Sequence, residues 1–339
     1  MSTAAGSEEA IPAWPADEQR QSQAVAQLAN AFDAVAHNVR RAYVGRPETI
    51  RLALCCLGAE GHLLVEDRPG MGKTTLAKAL AQSLGLGFGR VQFTADLLPA
   101  DVTGAIILDR STGALTFHRG AVFTNVLLAD ELNRASPKAQ SALLEAMEER
   151  QVSAEGISHP LPRPFMVIAT QNPFDAAGTF PLPQSQLDRF LIRLSIGYPD
   201  RSQEEELLDA GNRRPAPEDL PVVTSASFAG AFATAVRHTH VSAAVRGYIL
   251  DIVQATRSHP DLAVGASPRA ALALQRAASA LAVSAGRTFV IPDDVKQAAE
   301  PVLAHRLLAL PAAELAGVRT TATVADIVTR LPVPVGATR

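Results

Sequence analysis

Cysteine is nearly missing from this chain of 339 residues: Cys55 and Cys56 are the only two, and they are adjacent. Adjacent thiols offer neither a disulfide framework nor a zinc site, which needs further ligands at set spacings. Their apolar neighbours Leu52, Ala53, Leu54 and Leu57 point instead to structural thiols on a buried helix. Aromatic residues are also sparse at 5%, so the interior is aliphatic. An aromatic and basic stripe for tracking a nucleic-acid strand is absent. Charge of one sign is lacking as well. The net charge of -3 gives no footprint for nucleic acid, although a local basic patch can hide in a neutral total. No apolar run reaches the roughly 18 residues of a membrane-spanning helix. Glu8 and Glu9 stand where a secretory leader carries positive charge. A cytoplasmic chain without a membrane span is therefore expected. His238 and His240 lie two apart with no further ligand at helical spacing, and no metal site is expected from them.

Aliphatic material is plentiful. Hydrophobic residues make up 47% of the chain, enough for a large domain or two unequal ones. Residues 1–20 are rich in Ala, Pro, Ser and Glu without periodicity, and read as a disordered tail. Between 21 and 199, short apolar runs alternate with helical patterns, the signature of a parallel sheet flanked by helices. The candidate strands are Leu63–Glu66, Val91–Thr94, Val126–Ala129, Phe165–Thr170 and Ile192–Ile196. They are apolar throughout, as a sheet buried on both faces requires. Beyond the linker Gly197–Asp200 helical patterns dominate, at Gln203–Ala210, Ala243–Arg257, Ala270–Ala285 and Asp293–Leu308. The fold class is α/β, with a helical domain over 200–315 and a C-terminal extension over 316–339.

Candidate chemistry gathers at the ends of the strands. Leu64 and Val65 lead into Asp67-Arg68-Pro69-Gly70-Met71-Gly72-Lys73-Thr74-Thr75 and then a helix with Leu76, Ala77, Leu80 and Ala81 on one face. Glycines let backbone N–H groups turn inward around phosphate oxygens, and the helix N-terminus favours negative charge. Lys73 would reach the β- and γ-phosphates, and the Thr74 hydroxyl would bind Mg²⁺. Asp67 stands where the usual pattern has its first glycine, a variant that an Asp-tolerant turn admits. Val126–Ala129 ends in Asp130 and Glu131. Asp130 is placed to hold Mg²⁺ through water, and Glu131 to orient the attacking water. The strand through Ile168 and Ala169 ends in Asn172, which either holds that water or is a turn residue before Pro173. Arg189 cannot reach its own nucleotide from its place before the last strand, and suits a finger offered to a neighbouring subunit. Ser267 and Pro268 cap a helix whose first turn carries Arg269. From there Arg269 could touch phosphate across the domain cleft.

Together these residues resemble the MoxR family of AAA+ ATPases, from about Phe32 to Leu310. The most specific stretches are Glu66–Ala81, Ala129–Lys138, Gln186–Pro199 and Gly265–Arg269. Ile291–Val295 and Val302–Arg306 are similar to the family's lid. The resemblance implies a five-stranded AAA+ core binding ATP and Mg²⁺. Lys73 and Thr74 would belong to Walker A, Asp130 and Glu131 to Walker B. It makes Asn172 sensor 1, Arg189 the arginine finger and Arg269 sensor 2, and places Val44 and Gly45 beside the adenine. It also implies a homo-oligomer, a hexameric ring, that remodels or matures partner proteins. Those clients often carry a von Willebrand factor A domain. Metal-cofactor insertion belongs to the same reading, and a metal-chelatase-type motor subunit or a nucleic-acid-directed AAA+ motor is the alternative. A family hairpin, inserted in the second core helix, fits Gly104–His118 by its turn chemistry, and a second hairpin fits Val152–Leu161. Such hairpins face the pore or the client by resemblance. By residue type alone, Ile106, Leu108, Leu115 and Phe117 equally suit core packing.

Overall fold

The structure, a computed structural model, describes residues 14–334 apart from 109, 112 and 173–177. Two helices, α1 (Glu18–Ala42) and α2 (Pro47–Gly58), precede β1 (Leu63–Glu66), α3 (Lys73–Ser83), β2 (Phe88–Gln92) and α4 (Pro99–Thr103). The hairpin β3 (Gly104–Leu108) and β4 (Leu115–Arg119) leads to β5 (Val126–Asp130) and α5 (Pro137–Glu149). A second hairpin, β6 (Gln151–Ala154) and β7 (Ile157–Pro160), precedes β8 (Met166–Gln171), α6 (Gln184–Leu187) and β9 (Ile192–Leu194).

Five strands form one sheet in the order β2-β5-β8-β1-β9, and every neighbouring pair is parallel. Side chains alternate across it, as the period of two demands. Leu63, Val65, Val126, Leu128, Met166 and Ile168 face one buried cluster with α1, α2 and α3. Leu64, Leu127, Ala129, Val167 and Ala169 face the other, with Ala139, Leu143 and Met147 of α5. Both faces are thus covered, which explains why the strands carry no polar alternation. The β2 strand begins at Phe88, three residues before the expected Val91–Thr94; beyond its end Phe93 still donates N–H to the Asp130 carbonyl at 2.8 Å and buries its ring in the second cluster.

The helical part comprises α7 (Arg201–Ala210), α8 (Ala226–His238), α9 (Ala243–Arg257), β10 (Leu262–Val264), α10 (Pro268–Ser284) and α11 (Pro292–Leu303). It closes with β11 (Leu308–Ala309), α12 (Pro311–Leu315) and α13 (Thr320–Arg330). Its apolar faces merge with the α1, α2 and α3 side of the core in one cluster.

Several boundaries differ from expectation. The expected tail over 1–20 overruns the start of α1: the Asp17 carboxylate accepts from Arg20 N–H at 3.1 Å, an N-cap that starts the helix at Glu18. Residues 1–13 of that expectation lie outside the described residues. The expected C-terminal extension contains α13, which buries Val324 and Ile327 in the helical core. The short antiparallel pair of β10 and β11 has no counterpart in the sequence pattern.

Cys55 and Cys56 lie fully buried and unpaired in α2. Burial pushes the Cys55 thiol up to about 12, leaving both thiols protonated and inert. The two hairpins lie side by side, with the Phe117 ring stacked on His159 at 4.1 Å. Phe117 packs against the core, but Leu108 and Leu115 are exposed, as are Ile107 and Ile157. Core packing therefore fails as the reading of Leu108 and Leu115. Among the described residues, no helix is long and apolar enough to cross a membrane.

Candidate nucleotide site

The loop between β1 and α3 turns on two glycines in the left-handed region, Gly70 at φ 83° and Gly72 at φ 78°. Only glycine adopts that region freely. Asp67 does not share it, so a side chain is allowed there. Its Oδ2 accepts from Gly197 N–H at 2.6 Å and Ser195 Oγ–H at 3.4 Å, and its Oδ1 from Arg68 N–H at 2.8 Å. The departure from glycine thus anchors the loop to the linker that leaves the sheet. Lys73 opens α3 and donates Nζ–H to the Asp67 carbonyl. Burial lowers its pKa, opposed by the charges of Asp67, Asp130 and Glu131.

The tip of β5 supplies the carboxylates. Thr170 at the end of β8 donates its hydroxyl to Asp130 Oδ1 at 2.7 Å and accepts from Glu131 N–H at 2.9 Å. Glu131 holds a left-handed backbone at φ 55°, a strained state that surrounding contacts must sustain. Two side chains of β2 reach across: Arg90 Nη2 to Asp130 Oδ2 at 2.7 Å, and Gln92 Nε2 to Glu131 Oε2 at 2.9 Å. Arg134 Nε adds an ion pair to Glu131 at 3.1 Å. Both carboxylates are thus held by neighbouring side chains.

One pocket is lined by Asp67, Pro69, Gly70, Met71, Gly72, Lys73, Thr74 and Thr75 from the loop, Asp130 and Glu131 from β5, and Asn172. Thr170, Arg90 and Gln92 complete it. The strand order puts β5 between β2 and β8, so these tips converge at the C-terminal edge of the sheet, where open α/β sheets bind ligands. A hydroxyl at Thr74 beside a carboxylate at Asp130 is a set of hard oxygen donors that fits Mg²⁺. An adjoining pocket shares Gly70, Met71, Gly72 and Thr75 and is lined by Val44, Gly45, Tyr43, Ile196, Tyr198 and Leu207. Its apolar walls suit a base. Gly45 is needed there because a Cβ would come within 2.5 Å of the Tyr43 hydroxyl.

Arg189 and Arg269 are absent from both pockets. They meet each other on Glu148 of α5, Arg189 Nη2 at 3.1 Å and Arg269 Nη2 at 2.8 Å. They line a third pocket with Arg276 and Leu272. The expectation that Arg269 reaches phosphate across its own domain cleft is not met by this arrangement: α10 presents it beside Arg189 on Glu148, away from the phosphate pocket. Sequence reasoning missed Thr170, Arg90, Gln92 and Glu148. The end of an apolar strand was a usable signal for Thr170; the others depend on strand and helix neighbours.

Residues 62–192 match the model of the ATPase family associated with various cellular activities (AAA), and residues 254–327 match the AAA lid domain. Sheet order, phosphate loop and helical lid together define an AAA+ ATPase. The chain is 44% identical to the YeaC protein of Bacillus subtilis over 89% of its own length and 94% of that protein's. It is 38% identical to chaperone MoxR1 of Mycobacterium tuberculosis (85% and 78% covered) and 32% to protein MoxR of Paracoccus denitrificans (80% and 86%). A crystal structure of a candidate ATPase from Cytophaga hutchinsonii superposes with a TM-score of 0.85 at 34% identity, covering 93% of this chain and 97% of that one. The chain belongs to the MoxR family of AAA+ ATPases. Such proteins in general bind and hydrolyse ATP with Mg²⁺.

Proposed function

We propose that this chain hydrolyses ATP in a cytoplasmic hexameric ring and spends the energy on remodelling a partner protein. The observation that carries the reading is the convergence of Lys73, Thr74, Asp130, Glu131 and Asn172 in one pocket, though they come from three separated segments. Backbone N–H groups of Gly70 and Gly72 and the α3 N-terminus would cradle phosphates, with Lys73 against the outer ones. Thr74 and Asp130 would hold Mg²⁺, which neutralises charge on the phosphate oxygens. Glu131, with Asn172 beside it, would orient a water for in-line attack. The pocket beside Val44 and Gly45 would take the adenine. The core over 21–199 and the helical lid from 200 are the two parts that would move with the nucleotide.

Charge spreading in the transition state needs a cation that this pocket does not take from Arg189 or Arg269. Both stand together away from it, held by Glu148. We read them as a pair presented to the adjoining protomer's nucleotide. The exposed apolar ends of the hairpins at Ile107, Leu108, Leu115 and Ile157 favour a protein client over nucleic acid. The client we propose, on the family resemblance alone, is a protein with a von Willebrand factor A domain or one awaiting its metal cofactor.

Glu131→Gln tests the reading. The variant is expected to bind ATP while steady-state hydrolysis falls by about 10²–10⁴-fold. Hydrolysis at the wild-type rate would remove Glu131 from the mechanism. The same variant, held with ATP, is expected to retain a partner that ADP-loaded protein releases.

A further inference from the structure

The lid grips the loop that carries Arg189. Arg306 follows α11, and its side chain is only 4% exposed. A guanidinium offers five N–H donors in a fixed plane and accepts nothing, and here all five are used. Nε donates to Asp188 Oδ1 at 2.7 Å. Nη2 donates to the carbonyls of Phe190 at 2.7 Å and Asp188 at 3.3 Å. Nη1 donates to the Leu191 carbonyl at 3.3 Å and to that of Val302 in α11. His305 adds a second hold, donating Nε2–H to the Phe190 carbonyl at 2.9 Å. Its own carbonyl accepts from Gln184 Nε2 at 2.8 Å, at the start of α6.

The residues on either side of Arg189 are thus both fastened to the lid, whereas Arg189 itself points away to Glu148. A short turn between α6 and β9 has few ways of its own to fix a side chain's direction. A planar fork with every donor occupied leaves little freedom to the backbone it holds. Nothing in ATP binding or hydrolysis within the same protomer needs this clasp, since Arg306 lines no part of the phosphate pocket.

We propose that Arg306 is a positioning residue for Arg189, so that the lid of one protomer sets where that protomer's finger stands in its neighbour's site. This rests on the reading that Arg189 acts in the adjoining protomer. Nucleotide-driven movement of a lid would then be felt one site further round the ring.

Mixed rings test it. Lys73→Ala protomers lack a working pocket but can lend Arg189; Arg189→Ala protomers keep the pocket and lend no finger. A mixture of the two should recover ATPase activity that neither has alone. Adding Arg306→Gln to the Lys73→Ala protomers should lower that recovered rate by about 10–100-fold, the scale set by roughly 1 Å of misplacement. As a single change in full rings, Arg306→Gln should lower kcat and leave nucleotide Kd unchanged, a split that general unfolding would not produce. Arg306→Lys should restore part of the rate. Recovery that is undiminished by Arg306→Gln overturns the inference and leaves the shared-site reading standing. No recovery even with Arg306 intact overturns the shared-site reading and this inference with it. Should Arg306→Gln not fold, Asp188→Asn and Arg306→Lys protomers decide by the same mixing assay: full recovery with both overturns the inference.

Discussion

At position 67 a carboxylate does work that glycine cannot. It accepts from Gly197 N–H at 2.6 Å and Ser195 at 3.4 Å, tying the phosphate loop to the linker toward the lid. Restoring the usual glycine removes a charged acceptor from the half-buried Gly197 N–H and the exposed Ser195 hydroxyl, a loss of about 1–3 kcal/mol for such bonds. Asp67→Gly should therefore unfold at a lower temperature than wild type, and Asp67→Asn, which keeps an acceptor, should fall between the two. Equal midpoints for Asp67→Gly and wild type would sink this account. From the sequence, position 67 is only a departure from a pattern, because its partner at 197 becomes adjacent only once β9 is placed beside β1. The same is true of Thr170, Arg90 and Gln92. Lys73, Thr74, Asp130 and Glu131 are legible because each belongs to a contiguous strand-and-turn motif. Arg90 and Gln92 have no motif; they matter because β2 lies next to β5.

Elements are legible where burial on both faces makes strands uniformly apolar, as in β1, β5 and β8, and less so at the edge strand β2, none of whose residues is fully buried. The alanine-rich α8 showed too little contrast to stand out. One residue shows how closely the central elements are knit. His62, just before β1, donates Nε2–H to the Met147 carbonyl of α5 at 3.1 Å and accepts from Val167 N–H of β8 at 3.0 Å. Its carbonyl accepts from Leu191 N–H at 2.8 Å. Burial, with Arg150 and Arg276 adding in the same direction, pushes its pKa down to about 3. The unfolded chain binds a proton near 6.5 and the folded one does not until far lower. Its contribution is whole above about pH 6.5 and is lost as pH falls toward 3, at up to about 1.4 kcal/mol per pH unit. His305, also buried and neutral, acts in the same sense. Urea midpoints measured from pH 7 to pH 5 should fall less steeply for His62→Gln than for wild type, even though the variant starts lower. Parallel slopes would mean that His62 is protonated in the folded state.

On the scale of the molecule, the chain carries a pocket in one place and a cation pair in another. Lys73, Asp130 and Glu131 line the first; Arg189 and Arg269, bridged by Glu148, form the second. An isolated protomer would thus bind nucleotide yet lack the positive charge that an arginine finger supplies, worth about 10³–10⁵ in rate. Hydrolysis per protomer should therefore rise steeply with protein concentration as rings assemble. Nucleotide affinity should change little across the same range, because the loop, the helix N-terminus and the adenine pocket all belong to one chain. Arg189→Ala and Arg269→Ala should each flatten the rise while leaving the dilute rate and the nucleotide Kd as they were. Lys73→Ala should abolish both rates. Glu148→Gln, which frees both arginines from their shared anchor without removing either, should also lower the ring's rate, though less than either alanine variant. The decisive measurement is specific activity against concentration, read beside the assembly state by sedimentation. A specific activity that stays constant while the protein passes from monomer to ring would show that the phosphate pocket is complete within one chain, and the division of labour between the two places would fall.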